Sequence, residues 1–515
     1  MSPESEGWQS PDFVAAHAIA QSRKLAALDC ATLQRWTYAE LDAQTNRFAA
    51  RLTRQLGVGT GERVAFIGRN SVDLVIAHLA AVRAGAIFLP LNWRLTLPEL
   101  TFQTCDARPR ALLFDDGYES VAADLAAQTP GLVTTHVETL RRESAAMATQ
   151  YTSRMRDACA ASTILYTSGT SGRPKGAVLS ERNAFFTAIN FSLLSRINHS
   201  SVFLCDLPLF HVAALIGIVR PILAQGGTLL VSPAFDPAAT LARLSDPALG
   251  VTHYMCVPQM AQTLRQHPDY ARADLSRLVA FVTGGAPNPP ALVERFVDDG
   301  VPMLNGYGLT EAAGTVLGMP PGDLACLALK PGSAGLPPPT LRVRLVKDDG
   351  EEAVADEVGE IWVQGPNVGI GYWEQPAATA NTFADGWLRT GDAAYRDTDG
   401  FYYLVDRKKD MYISGGENVY PAEVEAAIME LEAVAEVAVF GVPDEQWGEA
   451  GCAYVIRRDG ATVAAEDLIA HCQTRLARYK IPKWVVFTTS VPRTASGKVQ
   501  KHLLRARHLE ATRGP

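Results

Sequence analysis

Short apolar runs alternate with stretches of helical spacing over about the first 300 residues of the chain. Residues 63–68 have the pattern of a buried strand, residues 72–84 that of a helix, and residues 87–90 that of a second strand. Further strand patterns occur at 111–114, 163–166, 278–282 and 302–304, with a helical stretch at 290–297. Repeated strand–helix–strand units predict parallel sheets covered by helices on both faces. Such sheets bind ligands at the carboxyl ends of their strands.

The pattern changes between about residues 335 and 405, where short strands alternate with Asp-Gly turn signals. We expect a β-rich subdomain here, ending a large N-terminal domain over residues 1–405. Five consecutive charged residues follow at 406–410 and fit either a solvated turn or a domain hinge. Beyond them, helix patterns at 423–431 and 465–477 alternate with strand patterns at 437–442 and 484–488. The predicted fold is α/β, with helix-covered, mostly parallel sheets followed by a small α+β domain over residues 411–515.

Composition and charge narrow the function classes. Hydrophobic residues make up 47% of the 515-residue chain and charged residues 20%, which is ordinary for a globular protein. The formal net charge of −8, with scattered basic residues, gives no footprint for nucleic-acid binding. The eight cysteines form no C-x-x-C pair, which argues against a metal cluster and fits a reducing compartment. Because the N-terminus lacks a signal-peptide pattern and no long apolar run occurs, we expect a cytoplasmic protein without a transmembrane segment.

A loop rich in glycine and hydroxyl groups follows the strand pattern at 163–166. It reads TSGTSGRPKG over residues 167–176 and includes the cations Arg173 and Lys175. Glycines let backbone N–H groups turn toward an anion, hydroxyls add donors, and a cation balances the charge. The spacing is not that of a Walker A loop, since Pro174 stands where the second glycine belongs, and no G-x-S-x-G serine-hydrolase motif is present. The loop therefore predicts a phosphate site, with a flexible linker as the alternative.

This loop, read from Tyr166 as YTSGTSGRPKG, resembles the signature of the adenylate-forming superfamily. That family includes acyl-CoA synthetases, adenylation domains of peptide synthetases and firefly-type luciferases. Further motifs resemble the family in its order along the chain: LPLFH at 207–211, NGYGLTE at 305–311, GWLRTGD at 386–392, DRKKD at 406–410 with GGEN at 415–418, and PRTASGK at 492–498. The resemblance spans nearly the whole chain, and it implies ATP, Mg²⁺ and coenzyme A as cofactors.

The resemblance implies roles for the nucleotide-binding residues. Tyr307 would stack on adenine, Asp392 would accept hydrogen bonds from the ribose hydroxyls, and Arg407 would donate to ribose or phosphate. Glu311 and Thr167 would hold Mg²⁺, which prefers hard oxygen ligands. Taken singly, a packed tyrosine or a surface carboxylate is the alternative. The remaining nucleotide-binding candidates are Ser168, Gly169, Thr170, Ser171, Gly172, Lys175, Gly285, Ala286, Pro287, Asn305, Gly306, Gly308 and Thr310.

The resemblance also implies two poses of a mobile C-terminal domain. In the first pose Lys498 would bridge the substrate carboxylate and the α-phosphate, stabilising the charge that gathers there. Rotation about Lys409 would then withdraw Lys498 and bring Gly415 and Gly416 to the pantetheine path, where glycine allows close backbone approach. An exposed lysine without this role is the alternative for Lys498.

Two aromatic candidates lie outside these assignments. Trp447 would contact the CoA nucleotide, or else belong to a hydrophobic core. His211 stands where the family places an aromatic gate between acid and thiol, with a structural histidine as the alternative.

In the ligases that the chain resembles, the acid lies among positions that are uncharged and mostly small in this sequence. The candidates for this acid slot are His211, Val212, Ala213, Gly217, Val282, Gly284, Gly308, Ala312, Ala313 and Gly314. A second carboxylate or an ammonium would be desolvated there without a partner. A small acid such as acetate would forgo burial worth about 0.8 kcal/mol per CH₂. We therefore expect a medium-sized hydrophobic acid, either aromatic or phenylpropenoid or a medium-chain fatty acid.

An AMP-forming acid–CoA ligase is the leading interpretation of the whole sequence. It would form an acyl-AMP and then transfer the acyl group to CoA. A peptide-synthetase module is disfavoured, because the chain ends 17 residues after Lys498 and none of residues 210–215 is acidic. The alternatives are a stand-alone enzyme that loads an acid onto a carrier-protein thiol and, from another class, an inactive nucleotide-binding sensor.

Overall fold

The computed structural model describes residues 10–147, 149–154, 157–167, 174–285, 288, 290–320, 324–347, 349–407, 412–419, 421–458, 460–492, 499 and 501–513. At 291, 326, 405–407, 418, 422, 426, 502 and 513 the description covers the backbone alone.

The helices alternate with the strands along most of the chain. In order they are α1 (Phe13–Ala20), α2 (Tyr38–Arg54), α3 (Val72–Arg83), α4 (Leu97–Ala107), α5 (Glu119–Gln128), α6 (Val137–Ser144), α7 (Glu181–Ser195), α8 (Val212–Leu215), α9 (Val219–Ala224), α10 (Pro237–Ser245), α11 (Pro258–Gln266), α12 (Pro290–Asp298), α13 (Leu324–Leu329), α14 (Pro376–Thr382), α15 (Pro421–Met429), α16 (Ala465–Gln473) and α17 (Lys501–Arg513). Short 3₁₀ turns occur at Tyr270–Arg272, Thr310–Ala312 and Arg478–Lys480.

The strands are short. In order they are β1 (Leu25–Asp29), β2 (Arg35–Thr37), β3 (Arg63–Ile67), β4 (Ile87–Leu91), β5 (Ala111–Phe114), β6 (Val133–His136), β7 (Ala161–Thr167), β8 (Lys175–Ser180), β9 (Val202–Cys205), β10 (Thr228–Val231), β11 (His253–Cys256), β12 (Ala280–Thr283), β13 (Met303–Tyr307), β14 (Leu317–Gly318), β15 (Arg342–Val346), β16 (Gly359–Gln364), β17 (Gly371–Tyr372), β18 (Phe383–Ala384), β19 (Trp387–Arg396), β20 (Tyr402–Arg407), β21 (Tyr412–Ser414), β22 (Glu417–Val419), β23 (Val434–Asp444), β24 (Gly448–Arg457) and β25 (Trp484–Phe487).

The chain divides into two compact units. One contains the described residues up to Trp93, together with Thr104–Leu165 and Gly176–Asp406. The other contains Arg94–Gln103, the described part of Tyr166–Lys175, and the described residues from Arg407 onward.

Two mostly parallel sheets dominate the first unit. The described strands of one run in the order β14, β13, β12, β11, β9, β10, β1 and β2, and those of the other in the order β17, β8, β7, β4, β3, β5 and β6. Several strands are buried along almost their whole length, as Ile87–Leu91 is. Strands buried on both faces read as continuous apolar runs, because helices cover both sides of a parallel sheet. The predicted helix-covered parallel sheets are therefore confirmed.

The region from 335 to 405 contains the predicted β-rich structure. Its antiparallel sheet runs β15, β16, β19 and β18, with β20 paired to β19. Alternating burial along Gly359–Gln364 shows one covered and one open face.

The second unit has its own α+β core. Its sheet runs β22, β21, β24 and β23, with β25 beside β24 in parallel. Val424, Val439 and Leu468, from α15, β23 and α16, meet in one buried cluster. The predicted helices and strands of residues 423–488 are present, although α16 ends at Gln473 and not at residue 477.

Local signals explain where several helices begin. The Ser71 hydroxyl accepts a hydrogen bond from the Leu74 N–H at 3.2 Å and caps α3. Ser180 and Asn183 form a reciprocal capping box at the start of α7.

No helix in the described part of the chain is both long and apolar enough to cross a membrane.

Candidate active site

Four neighbouring parallel strands of the first unit end at the same edge of the sheet. In spatial order they are β13, β12, β11 and β9. The register aligns Thr283 with Cys256 on one side and with Asn305 on the other. Ligands of open α/β sheets bind outside such ends, and here the loops that follow the strands carry most of the predicted acid-slot residues.

The loop after β9 is clamped by a buried asparagine. Asn70 donates its Nδ2 to the Leu207 carbonyl at 2.8 Å and accepts from the Leu209 N–H at 2.8 Å. The loop leads to His211, whose ring centroid lies 4.6 Å from that of Phe210. His211 is partly exposed at the start of α8, so its position permits contact with a substrate.

Asp206, at the start of this loop, has a buried side chain that is hydrogen-bonded within the protein. Its Oδ2 accepts hydrogen bonds from Thr240 Oγ1 at 2.5 Å and from the Tyr254 hydroxyl at 3.1 Å. Burial raises the pKa of Asp206. Because this side chain is 2% exposed, it offers no counter-charge to a substrate ammonium.

At three glycines assigned to the acid slot, a side chain would meet a neighbouring backbone segment. A Cβ on Gly308 would lie 1.8 Å from the Gly314 carbonyl oxygen, and one on Gly217 would lie 2.6 Å from that of Ala213. A Cβ on Gly284 would lie 3.0 Å from the Gly306 carbonyl oxygen. The missing side chain at each of these positions lets two backbone segments approach each other closely. The expectation from the sequence was different, namely that these small residues leave room for the acid.

The acid-slot candidates separate by exposure. Gly217, Val282, Gly284, Ala312 and Ala313 are buried, the last two completely. The partly exposed candidates are His211, Val212, Ala213, Gly308 and Gly314. Val212 and Gly314 are adjacent, since a Cβ on Gly314 would lie 3.4 Å from Val212 Cγ2.

Two apolar side chains after or within β11 were missed by sequence reasoning. Met255 Cε lies 3.8 Å from the position of a Cβ on Gly284, and Val257 Cγ1 lies 3.8 Å from one on Gly285. Both side chains are partly exposed. Only the sheet order reveals them, because it places β11 between β9 and β12.

Tyr307 and Asp392 lie together, as a shared nucleotide site requires. The Tyr307 hydroxyl donates to Asp392 Oδ2 at 2.7 Å, across a sequence separation of 85 residues. The Asp392 N–H donates to Thr390 Oγ1 at 3.1 Å, and the neighbouring Gly391 N–H donates to Glu360 Oε1 at 2.8 Å. Asp392 thus lies in the middle of the buried stretch of β19, with its carboxylate held by Tyr307.

Asn305 has a structural position beside this pair. Its Nδ2 donates to the carbonyls of Pro331 at 3.0 Å and Ser333 at 3.2 Å. Its Oδ1 accepts from Thr283 Oγ1 at 2.8 Å and Asn288 Nδ2 at 2.6 Å. The amide therefore holds the β13 end in place, while Gly306 in the same strand is partly exposed.

Glu311 lies on the 3₁₀ turn that follows β13, beside Thr310. Its Oε1 accepts a hydrogen bond from the Tyr372 hydroxyl at 2.8 Å. Among the described residues, no side chain or backbone N–H donates to Oε2, and the residue is partly exposed. A fixed, partly exposed carboxylate with one oxygen available fits a Mg²⁺ ligand.

The second unit holds the remaining described candidates. Thr167 ends β7 and Lys175 begins β8, with 3.4 Å between Thr167 Oγ1 and the Lys175 carbonyl oxygen. Gly415 and Trp447 are in contact: the Gly415 N–H donates to the Trp447 carbonyl at 2.8 Å. A Cβ on Gly415 would lie 2.6 Å from Trp447 Cε3, so the indole requires glycine there. Gly416 follows with a φ of +81°.

Several predicted residues lie outside the described part of the chain. They are Ser168, Gly169, Thr170, Ser171, Gly172, Ala286, Pro287, Lys409 and Lys498, together with the side chain of Arg407.

The structure is that of an α/β protein, with two mostly parallel sheets in its first unit and an α+β core in its second. Family models match as AMP-binding enzyme over residues 14–373 and as AMP-binding enzyme C-terminal domain over residues 423–498. The chain belongs to the AMP-binding enzyme family, in its acyl- and aryl-CoA ligase branch.

Curated relatives and solved structures match almost the whole chain. It is 42% identical over 472 residues to a feruloyl-CoA synthase of Amycolatopsis, covering 92% of this chain and 94% of that protein. It is 35% identical over 518 residues to the long-chain-fatty-acid–CoA ligase FadD13 of Mycobacterium tuberculosis, covering 98% of each. The structure of Bacillus subtilis o-succinylbenzoate CoA synthetase with a product analogue matches with a TM-score of 0.85 and 30% identity, over 96% of this chain and 98% of that one.

Proposed function

We propose that this AMP-forming acid–CoA ligase acts on a phenylpropenoid acid of the ferulate type. The carboxylate oxygen attacks the α-phosphorus of ATP and pyrophosphate leaves, giving an acyl-AMP. The CoA thiol then attacks the acyl carbonyl, loses its proton, and AMP leaves with an oxygen that came from the carboxylate. The observation that carries the proposal is the set of partly exposed apolar side chains, Val212, Met255 and Val257, that lie in or after the neighbouring strands β9 and β11.

Tyr307 and Asp392 would bind the nucleoside. The buried carboxylate of Asp392 accepts hydrogen bonds from the ribose hydroxyls, and the Tyr307 hydroxyl keeps that carboxylate in one orientation. Charge-assisted hydrogen bonds of this kind are about twice as strong as neutral ones. Pre-organisation of Asp392 therefore favours ATP binding.

Glu311 would hold the metal ion, with Thr167 as the second candidate ligand. Mg²⁺ neutralises negative charge on the phosphates and so favours attack by an anionic carboxylate. On the same motif resemblance, Arg407 would contact ribose or phosphate and Lys498 would bridge carboxylate and phosphate in the first half-reaction. Lys409 would be the hinge between the two half-reactions.

The partly exposed wall favours an uncharged acyl group. Val212, Ala213, Met255 and Val257 are apolar, and the nearby Asp206 is bound inside the protein. A second carboxylate or an ammonium would lose its hydration without gaining a partner. Similarity to a feruloyl-CoA synthase supports an aromatic acid, and similarity to a fatty-acid ligase supports an aliphatic acid as the second candidate.

A panel of acids tests the assignment. We expect kcat/KM for CoA-thioester formation to be highest for ferulate or 4-coumarate, lower for benzoate and decanoate, and lowest for acetate and malonate. A preference for decanoate would support the fatty-acid candidate. A preference for acetate or malonate would contradict the apolar wall.

The acyl acceptor and the compartment are tested separately. Parallel assays with CoA and with a phosphopantetheinylated carrier protein should show transfer to CoA. Transfer to the carrier protein alone would favour the stand-alone loading enzyme, and no pyrophosphate exchange with any acid would favour a nucleotide sensor. We propose a cytoplasmic location, since the described cysteines, Cys105 among them, are free thiols.

A further inference from the structure

Glu311 and Tyr372 form a contact that the proposed reaction leaves unexplained. The Tyr372 hydroxyl donates to Glu311 Oε1 at 2.8 Å, although 61 residues separate the two along the chain. Both residues are partly buried and belong to the first unit. A tyrosine hydroxyl in this position restricts the carboxylate to one orientation and occupies one of its two oxygens.

The segment that contains Tyr372 is hydrogen-bonded to the turn that contains Glu311. Asn367, which is completely buried, donates Nδ2 to the carbonyls of Ala312 at 3.0 Å and Thr315 at 2.7 Å. The Gly369 N–H donates to the Glu311 carbonyl at 2.7 Å. Backbone and side chain of Glu311 are therefore both held by residues 367–372.

The same segment is fixed from its other side by β8. Tyr372 pairs with Ala177, the Ile370 N–H donates to the Val178 carbonyl at 3.0 Å, and the Trp373 N–H donates to the Gly176 carbonyl at 2.8 Å. The Tyr372 ring also lies edge-on to Phe383, with centroids 5.8 Å apart. The backbone and the ring of Tyr372 are thus both held in place, with the hydroxyl directed at Glu311.

We propose that Tyr372 is a positioning residue for the magnesium site, because its hydroxyl orients Glu311 so that Oε2 faces the cation. This inference rests on the proposed function, in which Glu311 is a metal ligand. Groups that hydrogen-bond to metal ligands fix their orientation, and their removal typically lowers metal affinity or activity by about 10- to 100-fold. A hydrogen bond that only supported the fold would leave metal affinity unchanged.

Tyr372→Phe in the full-length chain is the direct test. The variant keeps the ring against Phe383 and removes only the hydroxyl. We expect the Kd for Mn²⁺, measured by electron paramagnetic resonance with a non-hydrolysable ATP analogue, to rise about 10-fold or more. The Mg²⁺ concentration that gives half-maximal pyrophosphate exchange should rise in parallel, and saturating Mg²⁺ should restore most of the rate.

A matched control is Tyr403→Phe, which removes the hydrogen bond from the Tyr403 hydroxyl to Asp397 Oδ2 at 3.2 Å. It should leave both metal measurements unchanged. Thiolysis of supplied acyl-AMP should be similar in both variants, because that step does not use the triphosphate.

Glu311→Gln separates failure of the inference from failure of the proposed function. If Glu311→Gln weakens Mn²⁺ binding but Tyr372→Phe changes its Kd less than twofold, the positioning role is wrong and the metal assignment stands. If Glu311→Gln also leaves Mn²⁺ binding unchanged, the metal assignment itself is wrong.

Discussion

Tyr307 and Asp392, which the motif resemblance assigns to one nucleotide site, are in direct contact in the structure. Each residue alone fits an ordinary structural role, as a packed tyrosine or a carboxylate near the surface. The structure instead places the Tyr307 hydroxyl 2.7 Å from Asp392 Oδ2, with both side chains more than nine-tenths buried. The Tyr307 hydroxyl restricts the orientation of the Asp392 carboxylate, and an oriented carboxylate is suited to hydrogen bonds from a ligand.

Tyr307→Phe should raise the KM for ATP by about 10-fold, since a hydrogen bond to a charged group contributes about 1.5–3 kcal/mol. The ring remains for stacking, so the KM for the acid should change little. Initial-rate kinetics with varied ATP measure the effect. An unchanged KM for ATP would mean that the hydroxyl does not orient a nucleotide-binding carboxylate.

The sequence motif predicts a metal-binding role for Glu311 but gives no sign of its contact with Tyr372. A motif marks residues that are close along the chain, whereas the hydroxyl that holds Glu311 comes from 61 residues away. Gly308 is a second case in which the sequence alone was insufficient. It was expected to leave room for the acid, but a Cβ at this position would meet the Gly314 carbonyl oxygen. The sequence gives the size and polarity of each residue, but the direction in which a side chain faces is known only from the folded backbone.

At the level of elements, the proposed acid slot lies at the carboxyl ends of β9, β11, β12 and β13. Predicted strands at 278–282 and 302–304 correspond to β12 and β13, so the two central loops could be anticipated. Met255 and Val257 could not, because their place depends on β11 lying between β9 and β12. Periodicity predicts that a strand exists, but strand order in a sheet depends on long-range pairing.

Ala213→Trp should narrow the acid slot from the α8 side. Ala213 is partly exposed, and overpacking a confined space costs about 1–3 kcal/mol, which corresponds to about a 5- to 160-fold loss in kcat/KM for ferulate. The loss for acetate should be smaller, because acetate does not reach that wall. Steady-state kinetics with both acids measure the difference.

The control for this prediction is Leu193→Trp, on the exposed surface of α7, where 53% of the residue is accessible. This variant should leave the ratio of kcat/KM for ferulate to kcat/KM for acetate unchanged. Gly217→Phe is a poor probe, because its Cβ would lie 2.6 Å from the Ala213 carbonyl oxygen and distort the backbone. Equal losses for ferulate and acetate in Ala213→Trp would place the acid elsewhere.

At the level of the whole molecule, buried His253 links stability to pH. Its Nε2 donates to the Ser195 carbonyl at 2.8 Å, Nδ1 lies 2.7 Å from Thr252 Oγ1, and the side chain is 1% exposed. Burial lowers the pKa of His253 to about 4 from its usual 6.5. The folded state therefore binds the proton more weakly than the unfolded state, and stability is lost as the pH falls below about 6.5 toward 4.

This single group should lower the free energy of unfolding by about 2 kcal/mol between pH 7 and pH 5. His253→Gln should reduce that difference, whereas His199→Gln, on an exposed residue, should not. Urea denaturation at the two pH values measures both. An unchanged pH dependence in His253→Gln would mean that the imidazole is not held neutral in the folded protein.

This single chain should both form an acyl-AMP and pass the acyl group to CoA. The most direct test uses ferulate labelled with ¹⁸O in its carboxylate, together with ATP, Mg²⁺ and CoA, followed by mass spectrometry of the products. We predict feruloyl-CoA together with AMP that carries one ¹⁸O, because a carboxylate oxygen becomes bonded to the α-phosphorus and leaves with it. Formation of ADP with ¹⁸O in inorganic phosphate, or of feruloyl-CoA with unlabelled AMP, would show that the acyl group does not pass through an acyl-AMP.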